Sequence, residues 1–299
     1  MSIIRTELLS RRYGGRVGIE AADLNVGEGE IFGFLGANGA GKTTAIRLLM
    51  GFLRPSRGRA MICGLDCWRD RARIKRDVGY LPGDLRLYHW LTGRTALNIF
   101  GRVRHADLRA RGAALAERFQ LEMDLRVRNM SRGTRQKLGL LLALAHGPRL
   151  LILDEPTSGL DPVMQSVLAN YLRELAAAGH TIFFSSHTLS EVETLCDRVA
   201  VVRQGRVIAD ETLQSLRARA RRTVQLVFKD PESASRATLP DFLTLVRRDE
   251  RSCHCELEGP SPPLIQWAAQ QTIEDIAISP PNLQSLFRKY YNTQLQDSL

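Results

Sequence analysis

The sequence predicts an α/β protein with a mostly parallel sheet, followed by a smaller α+β region, and three observations predict it. The first is Gly36-Ala37-Asn38-Gly39-Ala40-Gly41-Lys42-Thr43, which follows the apolar run Ile31-Phe32-Gly33-Phe34-Leu35 and leads into Ala45-Ile46-Arg47-Leu48-Leu49-Met50. That succession is strand, glycine-rich loop, helix. The second is Leu150-Leu151-Ile152-Leu153-Asp154, a continuous apolar run closed by a carboxylate, as a strand buried on both faces requires. The third is that strand-like runs keep alternating with helical ones from there to about residue 210. Ligands of such sheets lie beyond the C-terminal ends of the strands.

In order, residues 3–9 and 17–26 read as strands around a basic turn at 10–15 that holds Tyr13. The glycine-rich loop and its helix follow, ending near Gly51. Arg54-Pro55-Ser56-Arg57-Gly58 is a turn cluster. Strands at 59–63 and 78–81 flank a basic helical segment. Residues 95–101 and 108–119 read as helices, and 135–145 as a long apolar one. Pro162 opens a helix to 178, with proline in its first turn. Residues 181–185 form another buried strand with His187 just past it, 189–196 a helix, and 199–203 with 206–209 a hairpin. Beyond 210 the character changes. A basic helix (212–220) precedes 223–228, 231–236, 242–247, 253–257, 264–271, 273–278 and 283–291, which read as β-α-β-β-α-β-α, a ferredoxin-like unit. The domains expected are 1–215, with a helical subdomain at about 83–147, and 216–299.

Composition agrees with this size. A chain of 299 residues, 44% hydrophobic and 25% charged, holds one large globular domain and a smaller one. The net charge of +10 suits nucleic acid, an anionic membrane surface or a nucleotide, although scattered arginines mostly mark solvated faces. No run of 18 apolar residues occurs, so no bilayer-spanning helix is expected, and residues 1–6 lack a signal-peptide pattern. The five cysteines lack four-ligand zinc spacing, even with His254 beside two of them. Free thiols and a cytoplasmic setting are the expectation.

The chemistry concentrates in a few positions. G-x-x-x-x-G-K-T makes a nest of backbone N–H groups at a helix N-terminus, where orphan donors and the helix dipole attract phosphate. Glycines there leave room for the anion. The plain alternative, a glycine-rich turn before an ordinary helix, leaves the preceding strand and the Lys42-Thr43 pair without a reason. Gly36, Asn38, Gly39, Ala40, Gly41, Lys42, Thr43 and Thr44 are thus candidates for a nucleoside triphosphate, Lys42 for its β- and γ-phosphates and Thr43 for Mg²⁺. Phosphoryl transfer also needs a metal-holding carboxylate at a second strand end, which Asp154 fits. Glu155 follows as the group to orient water, and His187, at a neighbouring strand end, as one to meet charge on the γ-phosphate. Alone, His187 would more often be structural.

Together these residues resemble the ATP-binding subunits of ABC transporters. Gly36–Thr43 matches their Walker A motif, 150–155 Walker B with its adjoining glutamate, and Ser158-Gly159-Leu160-Asp161 the D-loop. Ser131-Arg132-Gly133-Thr134-Arg135-Gln136 resembles the signature motif, His187 the switch histidine, and Tyr13 the aromatic residue that stacks on adenine. The resemblance spans residues 3 to about 210 and is nearest the exporter branch with a separate permease, including drug- and antibiotic-export ATPases. Ile278-Ser279-Pro280-Pro281-Asn282-Leu283 also resembles that branch. It implies an ATPase using ATP and Mg²⁺, paired head to tail as a homodimer or with a second ATPase domain. Each ATP would lie between Walker A of one copy and Ser131 and Gly133 of the other. It further implies a membrane permease partner, a place on the inner face of the cell membrane, and no direct nucleic-acid ligand. The alternative is a soluble ABC ATPase acting on nucleic acid or a protein assembly. Two positions depart from the pattern. Met130-Ser131-Arg132-Gly133-Thr134 stands for the usual Leu-Ser-Gly-Gly-Gln, and Gly83 stands where glutamine or glutamate is usual, with Asp84 as its nearest substitute.

Overall fold

The computed structural model describes residues 2–281 together with Leu283 and Phe287. The chain forms two units, Met1–Asp210 and Glu211–Leu299.

The first unit begins with β1 (Ser2–Tyr13), β2 (Arg16–Ala22) and β3 (Asn25–Gly27), then β4 (Ile31–Leu35) and α1 (Lys42–Leu49). β5 (Arg57–Ile62), β6 (Leu65–Asp66), α2 (Arg71–Asp77) and β7 (Val78–Leu81) follow. The helices α3 (Gly93–Arg104), α4 (Arg109–Arg118) and α5 (Arg132–Leu144) come next, and then β8 (Leu150–Asp154), α6 (Pro162–Ala177), β9 (Thr181–Ser186) and α7 (Leu189–Leu195). β10 (Arg198–Arg203) and β11 (Arg206–Thr212), whose last two residues lie past Asp210, complete it. Two sheets result. One is antiparallel, in the order β2-β1-β5-β6 with β3 also on β1; the other has the order β11-β10-β4-β9-β8-β7. From β10 to β7 every pairing in the second sheet is parallel. Its central strands β4, β8 and β9 are buried along their whole length, which explains the apolar runs at 31–35, 150–153 and 182–184, with Asp154, Thr181, Ser185 and Ser186 buried at the strand ends. Phe32 stacks on Phe183 across β4 and β9, with ring centroids 5.6 Å apart.

The antiparallel sheet departs from the sequence reading. The turn expected at 10–15 is strand as far as Tyr13, because register shifts around Arg11 and a left-handed Leu8 (φ 47°) let β1 bend and keep pairing. The strand expected at 17–26 is cut in two. Ala21 has φ 46°, and the Thr6 hydroxyl enters the gap, donating to Ala22 O (2.7 Å) and accepting from Leu24 N (2.8 Å). α5 begins three residues before its expected start, because Ser131 caps it by accepting from Thr134 N.

The second unit holds α8 (Leu213–Arg219), β12 (Arg222–Phe228), α9 (Pro231–Arg236), β13 (Leu243–Arg248), β14 (Ser252–Leu257), α10 (Pro262–Ala268) and β15 (Ile273–Pro281). Its sheet has the order β13-β14-β12-β15, antiparallel throughout, which is the ferredoxin-like arrangement expected from the βαββαβ succession. The final helix expected at 283–291 lies outside the described residues apart from Leu283 and Phe287, both buried.

Candidate functional site

Three neighbouring parallel strands, β4, β9 and β8, end side by side, and their C-terminal ends carry the loop 36–41, His187, and Asp154 with Glu155. The loop owes its path to glycine. Gly41 has φ 114°, and a Cβ there would lie 2.3 Å from Gly18 O, so a side chain at this position would break the loop's contact with β2.

Lys42 is buried, and its ammonium donates to Gly36 O (2.6 Å) and Ala37 O (3.3 Å). It also stands 3.5 Å from Glu155 Oε1. The Thr43 hydroxyl donates to Asp154 Oδ2 at 3.0 Å, and the Ser185 hydroxyl holds the other oxygen of Asp154. A hydroxyl and a buried carboxylate side by side are the hard oxygen donors that suit Mg²⁺. Glu155 takes a left-handed backbone conformation (φ 51°), held by Ser185, whose carbonyl and hydroxyl both accept from its N–H at 3.2 Å. That turn aims its carboxylate at His187 Nδ1, 3.3 Å away. Lys42, Thr43, Asp154, Glu155 and His187 are thus brought together. Behind them the Tyr80 phenol is pushed up to about 12, by burial first and then by the Asp154 charge.

Tyr13, Asn38, Gly39, Gly41, Lys42, Thr43, Thr44 and Glu155 line one cavity of about 330 Å³. Gly36 and Ala40 support the loop from behind, Ala40 O accepting from Gly205 N. Two cations that the sequence reading missed, Arg16 and Arg47, line the same cavity. Their positions around the loop gave no sign that β2 and α1 would turn them inward.

Ser131 and Gly133 are not brought to this cavity. They form the N-terminus of α5, where Ser131 caps the helix and Gly133 meets the 155–159 segment instead. A Cβ on Gly133 would lie 2.6 Å from Gly159 O, so the absence of a side chain lets the two loops touch. Arg132, where the usual motif has glycine, donates from Nη2 to Ser158 Oγ at 2.6 Å. Gln136, also unassigned by the sequence reading, is buried and donates to Glu155 O (3.2 Å) and Pro156 O (3.0 Å). At the other departure, Gly83 lies beside the acid: a Cβ there would be 3.1 Å from Asp154 Oδ2. Asp84 does not fill this place, since its exposed carboxylate pairs with Arg86 at 2.8 Å.

A phosphate loop on a parallel sheet, with a lysine, a hydroxyl and two carboxylates converging on it, defines the class as a P-loop ATPase. The ABC transporter family model matches residues 19–158. The daunorubicin resistance ATP-binding protein DrrA2 of Streptomyces coeruleorubidus is 38% identical, covering 72% of this chain and 68% of its own. The bacitracin transport ATP-binding protein BcrA of Bacillus licheniformis is 35% identical over 78% of this chain and 77% of its own. The Nod factor export ATP-binding protein I of Ralstonia nicotianae is 32% identical over 99% and 95%. Among solved structures, an ATP-binding subunit of an ABC transporter matches with a TM-score of 0.68 and 30% identity, covering 72% of this chain and 92% of that one. A dimeric ATP-binding cassette in a post-hydrolysis state, 21% identical with a TM-score of 0.63 and covering 70% and 98%, shares the fold. The chain belongs to the ABC transporter family, as one of its ATPases working with ATP and Mg²⁺.

Proposed function

We propose that this chain is the ATP-hydrolysing motor of an exporter, acting from the inner face of the cell membrane on a separate permease. The observation that carries the ATPase part is the meeting of Lys42, Thr43, Asp154, Glu155 and His187 at adjacent strand ends. Export is supported by the relatives, whose names speak of drug resistance, bacitracin transport and Nod factor export.

In this reading the loop's N–H groups and Lys42 hold the β- and γ-phosphates, and Tyr13, 41% exposed at the cavity's edge, stacks on the adenine. Thr43 and Asp154 would hold Mg²⁺, which would supply charge neutralisation at the phosphates. Glu155 orients the attacking water and accepts its proton, and His187 steadies that carboxylate and meets charge on the γ-phosphate. Ser131 and Gly133 serve a second copy, because the N-terminus of α5 presents N–H donors and a helix dipole suited to a γ-phosphate. Two copies would therefore close head to tail around two ATP molecules. The helical subdomain at 83–147 engages the permease, and its exposed Tyr88, Trp90, Ile99 and Val103 are the apolar groups such a contact would cover. No helix among the described residues is long and apolar enough to cross a membrane, and the crossing is assigned to the permease.

The test is affinity purification of the full chain from its own cells in mild detergent, with ATP turnover measured on the product. A polytopic membrane protein should co-purify in stoichiometric amount and change the turnover. Recovery with nucleic acid or a soluble assembly, and no membrane protein, would favour the soluble-ATPase alternative.

A further inference from the structure

Away from the nucleotide cavity the positive charge is unevenly placed. Residues 54–76 carry eight Lys and Arg against Asp66 and Asp70, a net +6 of the chain's +10. Elsewhere many exposed arginines have an acid: Arg94 has Asp124, Arg109 has Asp107, and Arg221 has Glu256 and Glu258. Among the described residues Arg59 alone in this segment is so paired, with Glu7 at 2.8 Å. The segment's own two acids serve the backbone. Asp66 accepts from Trp68 N (3.0 Å) and Arg69 N (2.8 Å), and Asp70 from Asp66 N (3.0 Å). Among the described residues no acid lies within ion-pair distance of Arg54, Arg57, Arg69, Arg73 or Arg76.

The fold gathers part of this charge. The turn before β5, β5 itself and the loop after β6 line a cavity of about 320 Å³, into which Arg54, Arg57, Arg59 and Arg69 converge around Ser56 and Trp68. Aromatic rings stand beside the cations. The Arg71 guanidinium lies 4.8 Å from the Trp68 ring centroid, and the Lys75 ammonium 4.2 Å from that of the half-exposed Phe52. Asp66 lines the cavity too and Glu7 pairs with Arg59, which leaves the four cations in excess, and an external anion offsets the remaining repulsion. A single small anion would answer the cavity but not the unpaired Arg73 outside it, and Arg76 lines a different cavity beside Asp77. An extended anionic surface can meet cations at both places, and arginines beside the half-buried Trp68 and the exposed Phe52 are what a lipid headgroup layer accepts. Nucleic acid fits less well. Trp68 and Phe52 each already hold a cation against the ring, where a base would have to stack.

We propose that this face docks on an anionic lipid bilayer, with Arg54, Arg57 and Arg69 taking headgroup phosphates. The choice of a membrane as the anion rests on the proposed function; the charge and the cavity do not. The surface would hold the ATPase against the bilayer independently of the permease and of nucleotide.

The test uses the purified full-length chain without nucleotide, sedimented with vesicles of phosphatidylglycerol and phosphatidylcholine or of phosphatidylcholine alone. Binding should require the anionic lipid and weaken with salt. R54Q/R57Q/R69Q should lower partitioning about 100-fold, roughly fivefold for each arginine. R109Q/R236Q/R247Q removes the same charge from arginines paired with Asp107, Glu232 and Asp249, and should stay within about threefold of wild type. Both triple variants should turn over ATP at the wild-type rate, since none of the six residues lines the nucleotide cavity. Equal losses in the two triples would reduce the effect to net charge and overturn the site. Vesicle binding unaffected by R54Q/R57Q/R69Q, displacement by inorganic phosphate at millimolar concentration, or tighter arginine-dependent binding to single-stranded DNA would each overturn the membrane surface. A chain that binds vesicles through these arginines yet hydrolyses no ATP would refute the proposed function and leave the surface standing. A chain that hydrolyses ATP and ignores vesicles would do the reverse.

Discussion

The two units of the chain are both sheets packed with helices, but they bury different kinds of side chain. Lys42, Gln136, Asp154, Thr181, Ser185 and Ser186 are buried in the Met1–Asp210 unit. Among its described residues the Glu211–Leu299 unit buries Val224, Leu226, Phe228, Leu257 and similar groups, two cysteines being the nearest to polar. Burying a lysine or carboxylate costs several kcal/mol unless each is hydrogen-bonded, so a fold retains them where they serve something other than stability. On the proposed function, this difference separates the unit that would carry the chemistry from one whose described interior is apolar.

The largest expected effect tests the chemical half of that contrast. Glu155→Gln keeps the shape and the left-handed turn but removes the carboxylate that faces Lys42 and His187. Turnover should fall about 1,000-fold, within the range for loss of a general base, while ATP still binds in a calorimetric titration. Steady-state phosphate release at the wild-type rate would remove Glu155 from its role.

The next tests the other half. Phe228 is fully buried in the second unit's core, and Phe228→Ala should destabilise that unit by about 3–5 kcal/mol. Two melting transitions are expected, with only one of them lowered, and with ATP turnover per folded first unit unchanged. A single transition that moved as a whole, with turnover lost alongside it, would show that the two halves do not divide the work.

Much of the fold was legible because burial imposed it residue by residue. β7 and β8 match their expected bounds, β7 because Asp77 and Pro82 flank an apolar-and-glycine run and β8 because its apolar run ends at Asp154. The positions of Asp154 and His187 at strand ends, and of Lys42 at the start of α1, were legible because apolar strands and a glycine-rich loop precede them in sequence. What was not legible came from contacts distant in sequence. Nothing near Arg11 announces that β1 will run through it, since Ser56 and Ser10, far apart in the chain, hold the strand's backbone there. The inward turn of Arg16 and Arg47, and the bond from Gln136 to the Glu155 carbonyl, likewise depend on packing that no local pattern encodes.

Gln136 yields a smaller effect that sharpens the same contrast, because a buried amide in the first unit should matter to rate. Its Nε2 fixes the carbonyls of Glu155 and Pro156, so it acts as a positioning residue for the Glu155 turn. Gln136→Leu leaves two carbonyls without this partner, a loss of about 1–3 kcal/mol. Turnover at saturating ATP should fall about tenfold with KM within twofold, and Gln136→Glu, which cannot donate when ionised, should not restore it. A proportional loss of melting temperature with kcat unchanged would make Gln136 structural only.

The smallest expected effect concerns the boundary itself, and with it the proposal that residues 216–299 form an accessory domain that helps hold or regulate the dimer. A chain ending at Thr212 keeps β11, the ion pair between Arg198 and Asp210 at 2.7 Å, and every residue of the first unit's main core. Removing the rest deletes a core built from Val224, Leu226, Phe228 and Leu257, none of which lies near the nucleotide motifs in sequence. ATP affinity of the shortened chain should therefore stay within about twofold of wild type by calorimetry, the change allowed when no group touching the ligand is lost. An accessory role predicts a second result. In sedimentation with ATP and Glu155→Gln as background, the shortened chain should need a several-fold higher concentration to dimerise. Loose contacts are common between domains of one chain, so a passive appendage is the competing account. Dimerisation at the wild-type concentration would establish it, and an ATP affinity changed tenfold would instead tie the second unit to the chemistry that its apolar interior argues against.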